Sequence, residues 1–124
     1  MLQLPLLSLH GSDNLMDGYK ALTHDLQPPL QGGAPLFAEG SLPVALPPVI
    51  LDTSEQECGA GGWHFCRRAE DALQIAGFWP TGWPIRLFAV TGDETTIERG
   101  SKCRAASLVI REEVTVEAGI RALS

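Results

Sequence analysis

The stretch Gly61-Gly62-Trp63-His64-Phe65-Cys66-Arg67-Arg68-Ala69-Glu70-Asp71-Ala72-Leu73 decides the reading of this chain, because it encodes a buried strand that runs directly into a helix. If residues 63–66 are extended, Trp63 and Phe65 point to one face and His64 and Cys66 to the other, since side chains alternate along a strand. Gly61 and Gly62 let the chain enter with positive φ or pass close to another backbone. Beyond them, Ala69, Ala72, Leu73 and Ala76 recur at i, i+3, i+4 and i+7, a narrow stripe of small residues suited to packing on a sheet. Glu70 and Asp71 complement the helix dipole in the first turn, and Gly77 stops the helix, which is predicted over 68–76.

Upstream, Met1–Leu9 carries five leucines. It lacks a basic n-region, is broken by Pro5 and is too short to span a bilayer, so residues 1–14 read as an apolar tail and 15–124 as one globular domain. The leucines could dock on the domain's own surface, dock on a second copy to give a homodimer, or form a partner-binding segment; docking is the expectation, because an exposed run of leucines invites aggregation. Gly18–Leu22 reads as a first strand with Tyr19 and Ala21 on one face and Lys20 and Leu22 on the other. From Thr23 to Pro48, six prolines exclude helix and predict short edge strands or extended loops over the core. Thr53–Glu57 is polar and turn-like. After the helix, Trp79 and Trp83 flank Pro80-Thr81-Gly82 in a rigid aromatic loop. Ile85–Val90 is the clearest strand, Asp93–Lys102 suits a solvent loop, and Arg104–Arg111 is the last strand, with Ala106, Leu108 and Ile110 inward. Val114–Leu123 is expected to close as a short helix.

The chain of 124 residues, 44% hydrophobic and 19% charged, is long enough to bury a core and is not disordered by composition. Its net charge of −6 argues against nucleic-acid binding, which needs a basic face to displace counterions. Three cysteines without a secretory signal favour reduced thiols and a cytoplasmic setting. No membrane association is expected. The fold class expected is α+β: a small, twisted, mostly antiparallel sheet of about four to six strands, with the 68–76 helix on one face.

The run Tyr19-Lys20-Ala21-Leu22, then Cys58 with Gly62–Cys66 and Asp71-Ala72-Leu73, then Leu87–Val90 and Ser101–Ile110, resembles a family of uncharacterised proteins of phages and bacterial genomes. Its members often stand ahead of pentapeptide-like repeats. The resemblance covers roughly Asp17 to Leu123, and its most specific part is the glycine-aromatic-His-x-Cys core with the Asp-x-Leu helix. No repeat array follows here, and the proline-rich passage replaces a segment that is usually more charged. The resemblance implies a phage or mobile-element setting and no particular chemistry.

Several constellations invite a chemical reading. Cys58, His64, Cys66 and Cys103 could supply four soft ligands to zinc. The paired Cys-x2-Cys spacing is missing, however, which favours a buried histidine hydrogen-bonded to backbone and cysteines acting as small fillers. His64 and Cys66 also lie side by side on one strand, at ~6 to 7 Å between Cα atoms, but no third group orients them as a nucleophilic pair. The strand-to-helix unit looks like one in ADP-ribosyltransferases. There Tyr19 and His64 would line a cleft and Glu112 or Glu113 would orient a ribose, though the usual serine-threonine-serine strand motif is absent. Trp79 and Trp83 suit a protein-binding surface, since tryptophan is enriched at interface hot spots. The expectation is a non-enzymatic protein without cofactor or metal that binds a host or phage protein. A concrete version is an inhibitor of a host defence system, such as an anti-CRISPR. Its binding residues would be Trp79, Trp83, Tyr19 and His64.

Overall fold

The computed structural model describes residues 15–28, 34–57, 59, 61–77 and 85–115. Among them, seven strands form two antiparallel sheets and one short helix is present: β1 (Met16–Thr23), β2 (Val44–Ala45), β3 (Trp63–Phe65), α1 (Ala69–Gly77), β4 (Ile85–Gly92), β5 (Ile97–Arg99), β6 (Lys102–Ala105) and β7 (Leu108–Val114). The first sheet has the order β1-β4-β7-β2 and the second β3-β6-β5. The expected single sheet is therefore corrected to two, and mostly antiparallel sheet, not helix, makes the architecture.

Alternation along β4 explains the layers. Leu87 packs toward α1 with Ala21, Cys66, Ala69 and Ala72, while Phe88 and Val90 face the second sheet. On that inner side Leu22, Leu108 and Ile110 meet Phe65, Cys103 and Ala105 from β3 and β6. Phe88, Leu22, Leu87, Val90 and Ile110 have no exposed surface, and each such burial contributes about 1.5–3 kcal/mol. A bulge lets this pattern survive along β7. Val90 pairs with Ile110 but Ala89 with Glu112, so Arg111 is the extra residue. The shift returns Val114 to the helix side, where it packs with Leu87.

The two sheets are stitched at β1 and β3. Tyr19 and Cys66 exchange both backbone hydrogen bonds, Tyr19 N to Cys66 O at 2.6 Å and Cys66 N to Tyr19 O at 2.9 Å. Lys20 Nζ donates to the His64 carbonyl at 2.5 Å, one step further along. An ammonium thus stands where the ladder would otherwise lose a donor. Gly18 is what permits the approach: a Cβ there would lie 2.3 Å from Cys66 O and 2.6 Å from the Phe65 ring.

Four expectations are corrected or displaced. Asp93–Lys102 is not wholly a solvent loop, because Ile97–Arg99 pairs with Lys102–Arg104 through a turn in which Gly100 adopts φ 65°. Arg104–Arg111 is not one strand. Ala106 N donates to Thr95 Oγ1 and Asp93 N to Ser107 O, so the chain is held at a bend and crosses from one sheet to the other. The helix lies at Ala69–Gly77, one residue along from 68–76. Val114 ends β7 instead of opening a helix, and residues 116–123 lie outside the described residues. The proline-rich passage does supply a short edge strand, β2, as its prolines require.

Candidate functional site

His64 and Arg104 are directly opposite in the β3–β6 register. Both side chains point away from the inter-sheet core, and both engage the irregular segment between Asp52 and Gly59. Arg104 is 1% exposed. Its Nε donates to Asp52 O at 2.6 Å, Nη1 to Gln56 O at 2.8 Å and Glu57 O at 3.4 Å, and Nη2 to Ser54 O at 2.8 Å. The Asp52 carboxylate lies 3.9 Å from Nη2. A planar five-donor fork is the one side chain that can gather so many carbonyls at once. Desolvating the charge is tolerable only because the donors are matched.

The imidazole of His64 is half-buried, and its Nε2 donates to Gly59 O at 2.6 Å. Burial holds its pKa below the usual histidine value. The Gly59 carbonyl opposes this, while the charges of Lys20, Arg104 and Lys102 add to the depression. Gly59 is obligatory here, since a Cβ would meet the Asp52 carboxylate at 2.5 Å and the Arg104 guanidinium at 2.7 Å. On the outside, Arg99 donates to Ser54 O at 2.9 Å and Thr53 O at 3.3 Å, and pairs with Glu55 at 3.3 Å. Glu57 accepts from Ser101 N at 3.1 Å, which lowers its pKa. Asp52–Glu57 is thereby fixed in shape from both sides, with the residues 53–57 exposed.

The other predicted site residues separate. Tyr19 packs with the α1 cluster, not beside the His64 ring. Cys66 joins that same cluster, and burial pushes its thiol up to about 12, with Asp71 adding to the shift. An activated thiol needs the opposite shift. Cys103 lies in the inter-sheet core with its Sγ 3.5 Å from Met16 Sδ. Cys58, Trp79, Trp83 and residues 1–14 lie outside the described residues. Among the described residues, no group of three or more His, Cys, Asp or Glu side chains is placed to hold a metal ion. An open hollow of about 420 Å³ is lined by Arg67, Arg68, Asp71, Glu98, Gly100 and Ser101. Its arginines are matched by Glu98 at 3.7 Å and Glu70 at 2.8 Å.

Arg104, Arg99 and Lys20 are the residues that sequence reasoning missed. Their one legible signal is Arg104 standing between the apolar residues Cys103 and Ala105. Among the described residues no helix is long and apolar enough to cross a membrane. Comparison with family models, with curated proteins and with solved structures finds no match.

Proposed function

We propose that this protein works by binding another protein, and that the Asp52–Glu57 loop is part of the surface it presents. The supporting observation is the fully buried Arg104, whose donors go to the carbonyls of that exposed loop. A loop fixed before binding loses little entropy on association, and loops on rigid scaffolds are common carriers of recognition. His64 then serves the scaffold and is not a reacting group. The loop carries Asp52, Glu55 and Glu57, and the chain's net charge is −6, so a basic partner surface fits best.

The finer version follows the resemblance to phage and bacterial-genome proteins. In it the protein comes from a phage or mobile element and acts in the host cytoplasm by occluding a host protein, for instance a defence component, as an anti-CRISPR would. Trp79 and Trp83 would extend the contact surface.

The test is capture of partners from a host lysate with the full chain and with Thr53→Lys/Glu55→Lys, which cancels the negative charge of the loop without touching Arg104. Loss of a specific partner supports the reading. A partner held equally well by this variant and lost with Trp79→Ala/Trp83→Ala moves the surface to the aromatic loop, and one unaffected by either removes both surfaces.

A further inference from the structure

Part of the proline-rich passage lies over the inter-sheet core with few ties to it. In residues 34–43, just ahead of β2, Leu36, Phe37 and Leu42 pack partly buried on that core, while 34, 35, 38–41 and 43 are exposed. Among the described residues, one backbone hydrogen bond joins the stretch to the rest of the fold, Leu36 N to Leu26 O at 2.9 Å. Two side-chain contacts supplement it. Phe37 meets the Phe88 ring edge-on at 5.3 Å, and the Glu39 carboxylate accepts from Arg86, with Nη2 at 3.1 Å. Within the stretch, Ser41 N and Oγ both donate to Ala38 O, at 3.2 and 2.6 Å, across Gly40 at φ 76°, so 38–41 holds its own shape.

Parting these ties leaves Arg86 matched, because it keeps Glu113 through Nε at 3.0 Å and Nη2 at 2.8 Å. The Glu39 side chain is 68% exposed and already at water, so its ion pair contributes little. Leu26 is buried at φ 65°, a left-handed backbone that an ordinary side chain keeps only where its surroundings impose it. The Leu36 bond to its carbonyl is part of that constraint, and lifting the stretch releases it. What holds the stretch down is apolar burial: Phe88 has no exposed surface, and Phe37 lies against its ring. A segment with few buried contacts and few backbone bonds opens at a lower free energy than the whole domain.

We infer that residues 34–43 form a strap that lifts as a unit while both sheets stay paired, uncovering the Phe88 edge of the inter-sheet core with Arg86 at its rim. The β1–β4, β4–β7 and β2–β7 ladders do not include the strap, so its opening breaks none of their pairs. This device is independent of the loop proposed above as a binding surface, which is held on the outer face of the second sheet.

The test is native-state amide hydrogen exchange on the full chain, read residue by residue in increasing sub-denaturing urea. The Leu36 amide is expected to exchange at least about 100-fold faster than the slowest amides of β4, more slowly than an unprotected amide, and with a weaker urea dependence than β4, as a sub-global opening requires. In Phe37→Ala/Glu39→Gln its protection should fall by about 10-fold or more, while the β4 amides stay protected and keep their cross-strand nuclear Overhauser contacts to β1 and β7. Leu36 exchange that matches β4 in rate and urea slope, exchange in the parent at the unprotected rate, or a variant in which β4 loses protection together with Leu36 would overturn it.

Discussion

His64 and Arg104 face each other across the β3–β6 pair, and the two side chains together hold one irregular segment, from Asp52 O to Gly59 O. Removing the arginine takes the donors from Asp52 O, Gln56 O and Glu57 O, while Ser54 O keeps Arg99. Arg104→Met is expected to cost about 1–3 kcal/mol, the range for leaving hydrogen-bonding groups without their partner. Arg104→Lys should recover little, because an ammonium cannot reach four carbonyls in a fork. Urea unfolding measures the loss. Proteolysis within 53–57 should accelerate more than cleavage elsewhere if the clamp, and not only global stability, is broken.

A second arginine latches the proline-rich passage to the sheet. Arg86 pairs with Glu113 through Nε at 3.0 Å and Nη2 at 2.8 Å, pairs with Glu39, and lies 5.6 Å over the Phe88 ring. Phe37 meets the same ring edge-on at 5.3 Å. The hydrogen bonds from Arg86 hold the carboxyl groups of both Glu39 and Glu113 below the usual range. Such groups contribute stability that is full above about pH 4.3 and lost as the pH falls through their lowered folded values. The acid-side loss should be smaller in Glu113→Gln than in the parent. Arg86→Met should destabilise by about 1–2 kcal/mol at pH 7, through lost pairing and lost contact with Phe88.

Gly18→Ala tests the stitch between the sheets. The new Cβ would strike the Cys66 carbonyl, which is itself bonded to Tyr19, so neither backbone can yield cheaply. A loss of about 2–3 kcal/mol is expected, in the range for overpacking a tight core, read as a lowered urea midpoint with unchanged slope.

The buried thiols set the alkaline behaviour. Burial pushes Cys66 up to about 12 and Cys103 up to about 11. Thiols raised above their free value of about 8.5 contribute stability that is full below that value and lost as the pH rises toward their folded pKa. Lys20, lowered to about 8 by desolvation, acts in the opposite sense between pH 8 and about 10.4. One group opposes two, so stability should fall from pH 8.5 to 10. In a Cys58→Ser background, both remaining thiols should resist a disulfide reagent at pH 8 until the protein is unfolded.

The sequence was most legible where one local pattern had one outcome. Trp63-His64-Phe65 alternates as a strand must, and it lies with Trp63 and Phe65 at the inter-sheet core and His64 turned to the loop. The stripe Ala69–Ala72–Leu73 packs as its spacing requires. What escaped was non-local. Ala106 and Ser107 look like strand residues, but Thr95 and Asp93, a dozen positions away, capture their backbone groups and bend the chain into a second sheet. Arg104 escaped because no neighbouring residue announces that the carbonyls of residues 52–57 will surround it. Nor does local pattern show that the Lys20 ammonium reaches the His64 backbone while Tyr19 packs with the helix cluster.

The most direct measurement is a nitrogen-detected titration of the His64 ring in the folded protein. With its Nε2 proton on the Gly59 carbonyl and its base form favoured by burial, His64 should show the Nε2–H tautomer and a pKa below about 6.5. Its stability contribution should then be full above that pH and lost as the pH falls through the lowered value. An imidazole that titrates above 6.5, with its Nε2 proton exchanging freely with water, would contradict the assignment of His64 to the scaffold.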